Sequence, residues 1–288
     1  MESFDYVVIG GGSGGIASAR RAAEYGAKVA VIEGARLGGT CVNVGCVPKK
    51  VMWYAADIAH KLADASGYGF TLEAARHDWG ALKHARDAYI ARLNDIYASM
   101  LDKSGVTLLR GFAHFIDAHT VEVDGRRLTA AHITIATGGQ PVYPDIPGAE
   151  LGISSDGFFE LDRRPERVVV SGSGYIAVEL AGMFRALGSE VTLLVRGQRL
   201  LRGFDAMLGD ELATRMTDDG VDLRFGALPQ AVERLDEGCL RVACTEGGSV
   251  DTDCVLWAIG RRANTDRLRL DVAGVIRNDD GTIAVDPW

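Results

Sequence analysis

The chain has 288 residues, of which 47% are hydrophobic and 24% charged, the composition of a globular protein with one large or two ordinary domains. A net charge of −8 without a basic run argues against a nucleic-acid partner. No apolar run approaches the ~20 residues that span a bilayer, and the acidic start MESFDYVVIGGG predicts no signal peptide. Five cysteines are too few for a secreted disulfide scaffold, so we expect a reducing, cytoplasmic setting.

The first half of the chain alternates short β-branched runs with longer helical segments, which predicts an α/β fold with a largely parallel sheet. In chain order, the pattern predicts a strand at 5–10, a helix at 13–26, a strand at 28–33, and helices at about 48–66 and 79–103. On the last of these helices, three- and four-residue spacing places four apolar residues on one face: Tyr89, Leu93, Ile96 and Met100. Short strands follow, the last at 132–139, before a proline-containing linker, PVYPDIPGAE.

The second half repeats this order. The pattern predicts a strand at 167–172, a helix at 174–188, a strand at 190–196, a helix near 206–219 and strands near 231–236, 240–245 and 254–259. Such an internal repeat predicts two Rossmann-like dinucleotide-binding units in series. We therefore place one nucleotide-binding domain at 1–140, a second at 141–263 and the start of a further domain at 264–288.

The first glycine loop, GGGSGG at 10–15, satisfies the pattern G-x-G-x-x-G directly between a strand and a helix. Its glycines permit a tight turn and close backbone approach, and the helix N-terminus can hold a pyrophosphate. The next predicted strand ends in Glu33, whose carboxylate suits a ribose hydroxyl. The loop therefore predicts a dinucleotide whose ribose carries no extra phosphate.

The second glycine loop, GSGYIA at 172–177, has alanine in place of the third glycine, a permitted variant. The strand after it ends in Arg196, with Arg202 shortly beyond. Arg196 lies 24 residues after the first glycine of its loop, and Glu33 lies 23 residues after its own, so the two positions are equivalent. Arginine can pair with a 2′-phosphate that an acid would repel, which predicts NADPH here; the alternative is two solvated surface arginines.

The segment GGTCVNVGCVPKK places Cys41 and Cys46 five positions apart. On a regular helix their Cα atoms would be about 9 Å apart, whereas a disulfide requires about 7 Å or less. A disulfide would therefore need a bend, which Asn43 and Gly45 tolerate. Structural zinc would need four ligands, and no second cysteine pair lies near in sequence. The same spacing in CLRVAC, at 239–244, lies in a strand-like pattern and predicts two structural cysteines.

Together GGTCVNVGCVPKK, GGGSGG, GSGYIAVEL and VLWAIGR resemble the flavin-dependent disulfide reductases, most closely the glutathione reductase family, along the whole chain. The resemblance implies FAD in the first site, NADPH in the second and a Cys41–Cys46 disulfide that the reduced flavin opens. Cys46 would be the flavin-proximal thiolate of the charge-transfer contact. Cys41 would be the nucleophile that attacks glutathione disulfide. A helix N-terminus and Lys49 would favour the thiolate.

The resemblance also implies the binding residues. Those that match FAD contacts are Gly10, Gly12, Ser13, Gly14, Gly15, Glu33, Thr40, Cys41, Lys49 and the backbone of Ala113. Those that match NADPH contacts are Gly172, Ser173, Gly174, Ile176, Glu179, Arg196, Arg202 and Gly260. Tyr175 matches the lid over the nicotinamide pocket, Lys49 the lysine beside the reactive flavin nitrogen, and Glu179 the acid that pairs with it. For Lys49 the alternative is a surface lysine.

The substrate pocket for glutathione disulfide is matched by four residues: Ala17, Arg20, Ile96 and Tyr97. Arg20 could pair with a glycyl carboxylate of that substrate. The alternatives are a solvated helix face for Arg20 and a core aromatic residue for Tyr97.

Relatives in this family continue with a Gly-Asp strand and an interface domain, whose histidine acts as the acid in the partner subunit. All six histidines here lie at or before His132 and none fits that motif, so no acid/base residue is assigned. We therefore expect a fragment of a homodimeric reductase, with weakened FAD binding and no dimer of its own. The alternatives are a reductase of another low-molecular-weight disulfide and a short non-catalytic flavin-binding protein.

Overall fold

A computed structural model describes residues 1–72, 76–235 and 238–286 and confirms an α/β fold with two Rossmann-like units. Both units are discontinuous in sequence. Unit 1 consists of residues 1–48, 87–140 and 262–288, and unit 2 of residues 49–86 and 141–261. The domain boundaries predicted after residues 140 and 263 stay a prediction, and residues 287–288 of the third predicted domain lie outside the described residues.

Unit 1 is built on a six-stranded sheet. Its strands are β1 (Glu2–Ile9), β2 (Val29–Glu33), β3 (Thr107–Arg110), β4 (His114–Asp117), β5 (Thr120–Val123) and β6 (Arg126–Ile135). The order is β3-β2-β1-β6-β5-β4, with the first four strands parallel and β4, β5 and β6 joined as antiparallel neighbours. The central strand β1 is apolar and buried at Val7, Val8 and Ile9, as expected of a parallel strand covered on both faces.

Among the described residues, four α-helices accompany this part of the chain. They are α1 (Ser13–Glu24), α2 (Gly39–Val44), α3 (Cys46–Asp64) and α4 (Trp79–Lys103). The bounds of α4 are those predicted, and α3 begins two residues before its predicted start, with Pro48 in its first turn. The apolar face predicted on α4 is exposed or half-buried rather than buried. The most buried side chains of α4 are Trp79, Arg86, Ile90 and Leu101.

The second set of elements lies in unit 2, except that β7 and β16, at its two ends, cross the boundaries with unit 1. They run from β7 (Gly139–Pro141) and β8 (Ile153–Ser154) through α5 (Ser155–Glu160), β9 (Arg167–Ser171), α6 (Tyr175–Ala186), β10 (Glu190–Val195), α7 (Ala206–Asp218), β11 (Asp222–Phe225), β12 (Pro229–Arg234), β13 (Leu240–Cys244), β14 (Ser249–Thr252) and β15 (Cys254–Trp257) to β16 (Arg261–Ala263). A parallel sheet has the order β11-β10-β9-β15-β8, and β12, β13 and β14 form an antiparallel sheet. The strand predicted near 231–236 corresponds to β12; residue 236 lies outside the described residues.

The succession β9-α6-β10 repeats β1-α1-β2, which confirms the predicted internal repeat. Residues 49–86 join unit 2 through Trp79, whose ring stacks on Phe184 at 5.9 Å between centroids. The Trp79 indole N–H also donates to the Leu161 carbonyl at 2.8 Å. No helix in the part of the chain that the structure describes is long and apolar enough to cross a membrane.

Candidate functional site

The first glycine loop joins β1 to α1. Gly10 has a positive φ of 115°, and a Cβ there would lie 2.2 Å from the Ala136 carbonyl oxygen. A Cβ on Gly15 would lie 1.8 Å from the Gly10 carbonyl oxygen, so only glycine fits. Among the described residues no side chain caps α1 at Gly12, and Ser13 and Gly14 are exposed. The N–H groups of the first turn are therefore available to an anion, which fits the pyrophosphate of a dinucleotide.

Glu33 lies at the carboxyl end of β2, beside this loop. Its two carboxylate oxygens each accept a hydrogen bond of 2.6 Å, one from the Gly11 N–H and the other from the Ala35 N–H. These bonds fix the orientation of the carboxylate, and each oxygen keeps a lone pair for a ribose hydroxyl. Ala113 is buried beside β4. The structure thus brings the glycine loop and its acid together, as the spacing predicts.

The two cysteines of the predicted redox pair lie on consecutive helices. Cys41 is on α2, Gly45 is outside helical geometry at φ −150° and ψ −120°, and α3 begins at Cys46. The chain therefore bends between the cysteines. A Cβ on Gly45 would lie 2.7 Å from the Thr40 carbonyl oxygen and 3.3 Å from the Cα of Cys41, so this turn is tight against the residues before it.

Asn43, the other residue predicted to tolerate a bend, is instead helical and buried. Its side-chain amide donates to the carbonyl oxygens of Leu37 and Gly39, each at 2.9 Å. Asn94 of α4 donates in turn to Asn43 Oδ1 at 3.0 Å. These bonds hold α2 in place within unit 1. Nothing in the sequence marks Asn94 for this role, because the contact joins residues distant along the chain.

The five cysteines differ in their surroundings. Cys46 is exposed at the N-terminus of the 19-residue helix α3, and Cys41 is half-buried and not disulfide-bonded in this structure. Burial raises the pKa of the Cys254 thiol to about 12 and also raises the pKa of the Cys244 thiol. Across the described residues no group of three or more His, Cys, Asp or Glu side chains could hold a metal ion. The Cys41–Cys46 disulfide itself stays a prediction.

The second glycine loop joins β9 to α6. Gly172 has a φ of 147°, and a Cβ there would lie 2.3 Å from the Ala258 carbonyl oxygen. At Gly174 a Cβ would meet nothing within 4 Å, and no described side chain caps α6 there. Tyr175, the first residue of α6, is 58% exposed, and Ile176 is half-buried. This loop also fits a phosphate group at a helix N-terminus.

The cations and polar groups predicted around NADPH occupy the same unit. Arg196 directly follows β10, and both it and Arg202 are exposed. Gly260 is exposed with a positive φ of 138°, and its carbonyl oxygen accepts from the Val142 N–H at 3.0 Å. Ser173 is half-buried. The structure leaves the two arginine side chains accessible to an anionic ligand.

Lys49 and Glu179, both in unit 2, form an ion pair with 2.8 Å between Nζ and Oε1. Their side chains are 27% and 36% exposed, so Lys49 is not a freely solvated surface lysine. Glu179 lies on α6, one turn after Tyr175. The structure thus brings the predicted pair together, and its role at a flavin stays a prediction.

The four residues predicted to line the substrate pocket belong to unit 1. Ala17 is exposed on α1, and Ile96 is 40% exposed on α4. Arg20 is half-buried, and its Nε donates to Ser104 Oγ at 3.1 Å. Tyr97 packs partly against the core. Their assignment to a glutathione-disulfide pocket stays a prediction.

Comparison with known proteins finds disulfide reductases that match almost the whole chain. Residues 4–288 match the family model described as pyridine nucleotide-disulphide oxidoreductase. The chain is 48% identical to the glutathione reductase of Schizosaccharomyces pombe, over 99% of this chain and 64% of that protein. It is 47% identical to the glutathione reductase of Yarrowia lipolytica, over the same shares of the two chains.

A solved structure is similar as well. The HOCl-induced flavoprotein disulfide reductase RclA from Escherichia coli, in its Cu(II) complex, matches 99% of this chain and 63% of its own, with a TM-score of 0.88 at 29% identity. The chain thus spans a little under two thirds of the length of these relatives. With two glycine loops in place and a family model that matches nearly every residue, this chain belongs to the pyridine nucleotide-disulphide oxidoreductase family.

Proposed function

We propose that this protein carries out the NADPH-dependent reduction of glutathione disulfide, with FAD as cofactor and Cys41 and Cys46 as the redox pair. The observation that carries the proposal is the interruption of the helix at Gly45, which sets Cys46 at the N-terminus of α3 and Cys41 on the helix before it. The names of the two fungal relatives support glutathione disulfide as the substrate. The cytoplasmic setting and a homodimer of a longer protein stay predictions.

The cofactor assignment follows from the contrast between the two loops. In unit 1 the fixed Glu33 carboxylate suits the ribose hydroxyls of FAD and disfavours a 2′-phosphate. In unit 2 the exposed Arg196 and Arg202 suit the 2′-phosphate of NADPH. When bound, the flavin would supply the two-electron chemistry that links NADPH to a disulfide.

The cysteines would perform the exchange with substrate. The Cys41 thiolate attacks one sulfur of glutathione disulfide, forms a mixed disulfide and releases one glutathione thiolate. The Cys46 thiolate then attacks the Cys41 sulfur, restores the Cys41–Cys46 disulfide and releases the second glutathione. Two electrons from NADPH return the pair to the dithiol. The N-terminus of α3 stabilises negative charge at Cys46.

Lys49 would stabilise negative charge on the reduced flavin and would take no direct part in the thiol–disulfide exchange. Its ammonium group, held by Glu179 at 2.8 Å, would offset the negative charge that the flavin gains on reduction. A Glu179→Gln variant should therefore slow flavin reduction by NADPH and leave the reaction of Cys41 with glutathione disulfide unchanged.

The test follows the thiols directly. The protein, loaded with FAD, is treated with NADPH without oxygen, alkylated, and analysed by peptide mass spectrometry. We expect NADPH to create two new labelled sites, at Cys41 and Cys46, and glutathione disulfide to remove them faster than cystine does. NADH should create them far more slowly.

A Cys46→Ser variant is the control, because it leaves Cys41 without its partner and should give no NADPH-dependent labelling. Equal labelling with and without NADPH in the wild-type protein would refute the redox pair. Faster reoxidation by cystine than by glutathione disulfide would instead point to a reductase of another small disulfide.

A further inference from the structure

A six-residue segment occurs twice, each time beginning at the residue predicted to distinguish a ribose hydroxyl from a 2′-phosphate. EGARLG, at 33–38, begins at Glu33, the last residue of β2, and RGQRLL, at 196–201, begins at Arg196, directly after β10. The second, fourth and fifth residues are glycine, arginine and leucine in both copies. The leucines correspond in structure too, since Leu37 is 1% and Leu200 0% exposed. Both segments are therefore anchored by a buried leucine one residue before they end.

The last residue of each segment makes the same hydrogen bond. In unit 1 the Gly38 N–H donates to the Gly11 carbonyl oxygen at 2.8 Å. In unit 2 the Leu201 N–H donates to the Ser173 carbonyl oxygen, also at 2.8 Å. Gly11 and Ser173 are the second residues of their glycine loops. We call this bond between the segment and the glycine loop the loop latch.

The two latches differ in conformational strain. Both donors have a positive φ, 92° at Gly38 and 49° at Leu201. Glycine adopts this region freely, whereas a leucine there is strained by its Cβ. Asp124, Leu201 and Arg269 are the non-glycine residues with positive φ in the part of the chain that the structure describes. Such strain persists only where the surroundings hold it, and it concentrates at ligand-binding sites.

The surroundings of Leu201 supply that constraint. Leu200, directly before it, is fully buried, and its carbonyl oxygen would lie 2.5 Å from a Cβ on Gly209, so α7 packs closely on this backbone. The Leu201 carbonyl oxygen accepts from the Phe204 N–H at 2.8 Å, which closes a turn around Arg202. Arg202 therefore lies within a hydrogen-bonded turn, directly after the residue that donates the loop latch.

We propose that Leu201 is a positioning residue for the coenzyme. Its left-handed backbone directs its N–H to the Ser173 carbonyl oxygen. This bond fixes the glycine loop relative to the segment 196–201, which begins with Arg196 and is followed directly by Arg202. The loop suits the pyrophosphate and the arginines suit the 2′-phosphate, so the latch sets the spacing between the two anionic groups. This inference rests on the proposal that the second site takes NADPH.

The test measures binding rather than turnover. Dissociation constants for 2′,5′-ADP and 5′-AMP are determined by calorimetry on the full chain. The constant for 5′-AMP divided by that for 2′,5′-ADP is the ratio that reports recognition of the 2′-phosphate. In Leu201→Gly, which keeps the N–H and removes the strain, we expect the ratio to stay within about twofold of wild type. Leu201→Val, whose branched side chain resists positive φ, should lower it about fivefold. Leu201→Pro, which lacks the N–H, should lower it about tenfold.

The glycine and valine variants separate the latch from a packing role, because packing predicts the reverse order. If Val keeps the ratio and Gly lowers it, Leu201 acts through its side chain and the inference is overturned while the NADPH assignment stands. If the wild-type chain does not prefer 2′,5′-ADP over 5′-AMP, the NADPH assignment itself is wrong and the inference falls with it. Circular dichroism and Tm establish that each variant is folded; if Leu201→Pro is not, the other two variants decide.

Discussion

Replacing Gly45 by alanine tests whether the bend between Cys41 and Cys46 depends on the absence of a side chain. The new Cβ would lie 2.7 Å from the Thr40 carbonyl oxygen, where ordinary contact begins at 3.4 Å. The backbone must therefore move by about 0.7 Å, and overpacking of this kind costs about 1–3 kcal/mol. For a chain of this size the loss corresponds to a decrease in Tm of about 2–12 °C. We expect that decrease in excess reductant, where no disulfide contributes.

The same variant should also change the redox equilibrium of the cysteines. The added methyl group lies 3.3 Å from the Cα of Cys41, so it forces the two cysteine-bearing turns apart and disfavours the disulfide relative to the dithiol. If the oxidised form bears an additional cost of about 1–3 kcal/mol beyond that of the reduced form, the reduction potential rises by about 20–65 mV. Equilibration in glutathione buffers, followed by alkylation and mass spectrometry, measures this potential.

Gly182→Ala is the matched control, because Gly182 lies inside α6 and a Cβ there meets nothing within 4 Å. Alanine at a helix interior should raise the free energy of unfolding by about 0.5–1 kcal/mol. The two glycine-to-alanine changes should therefore shift Tm in opposite directions. A Gly45→Ala variant with unchanged Tm and unchanged potential would refute the steric account of the bend.

Three further predictions concern thiol reactivity, acid stability and nucleotide binding. In the reduced protein at about pH 8, iodoacetamide should label Cys41 rapidly and Cys254 only after unfolding, because burial raises the Cys254 pKa to about 12; equal rates by peptide mass spectrometry would contradict this. Asp253→Asn should lower the free energy of unfolding by about 1 kcal/mol at neutral pH, since the partly exposed Arg167 guanidinium donates to this carboxylate at 2.6 Å and lowers its pKa. A carboxyl group with a lowered pKa stabilises the fold above its unfolded value of 3.8, so the difference from wild type in urea titrations should vanish as the pH falls below that value through the folded-state pKa. Gly15→Ala should weaken ADP binding to the first site by more than about 100-fold in calorimetry, because its Cβ would lie 1.8 Å from a carbonyl oxygen of the loop; retained binding would argue against the loop as the pyrophosphate site.

The spacing of residues within short stretches of the sequence was enough to predict the strand–glycine-loop–helix successions, the longest helix and the bend between the two cysteines. The strand–glycine-loop–helix succession was visible in both halves of the sequence, because positive φ and close backbone approach require glycine at fixed places. The bounds of α4 were predicted correctly because its helical spacing is uninterrupted from Trp79 to Lys103. The bend at Gly45 followed from the distance that five residues of helix would cover.

Contacts between residues distant in sequence determined which side chains of α4 are buried and which backbone conformation Leu201 adopts, and local spacing predicted neither. The apolar spacing on α4 indicated a face but not its partner, and Arg86 is buried there while Tyr89 and Ile96 remain exposed. The Arg86 guanidinium donates to the Phe159 carbonyl oxygen, a contact between residues far apart in sequence. The left-handed backbone of Leu201 was also invisible to local rules, since leucine disfavours it. The similarity of EGARLG to RGQRLL was the signal that could have revealed it.

The discontinuity of unit 1 has a consequence for synthesis on the ribosome. Its core includes Phe4, Val7 and Leu128, but also Leu268 and Leu270, which are translated much later. After Gln140 emerges, ~130 further residues must be translated before that core can close, which takes roughly 7–26 s at ordinary rates of elongation. Unit 2 can close earlier, once residue 261 is available. Of the two units, the one that contains the N-terminal nucleotide-binding sheet therefore keeps apolar core surface exposed for longer during translation.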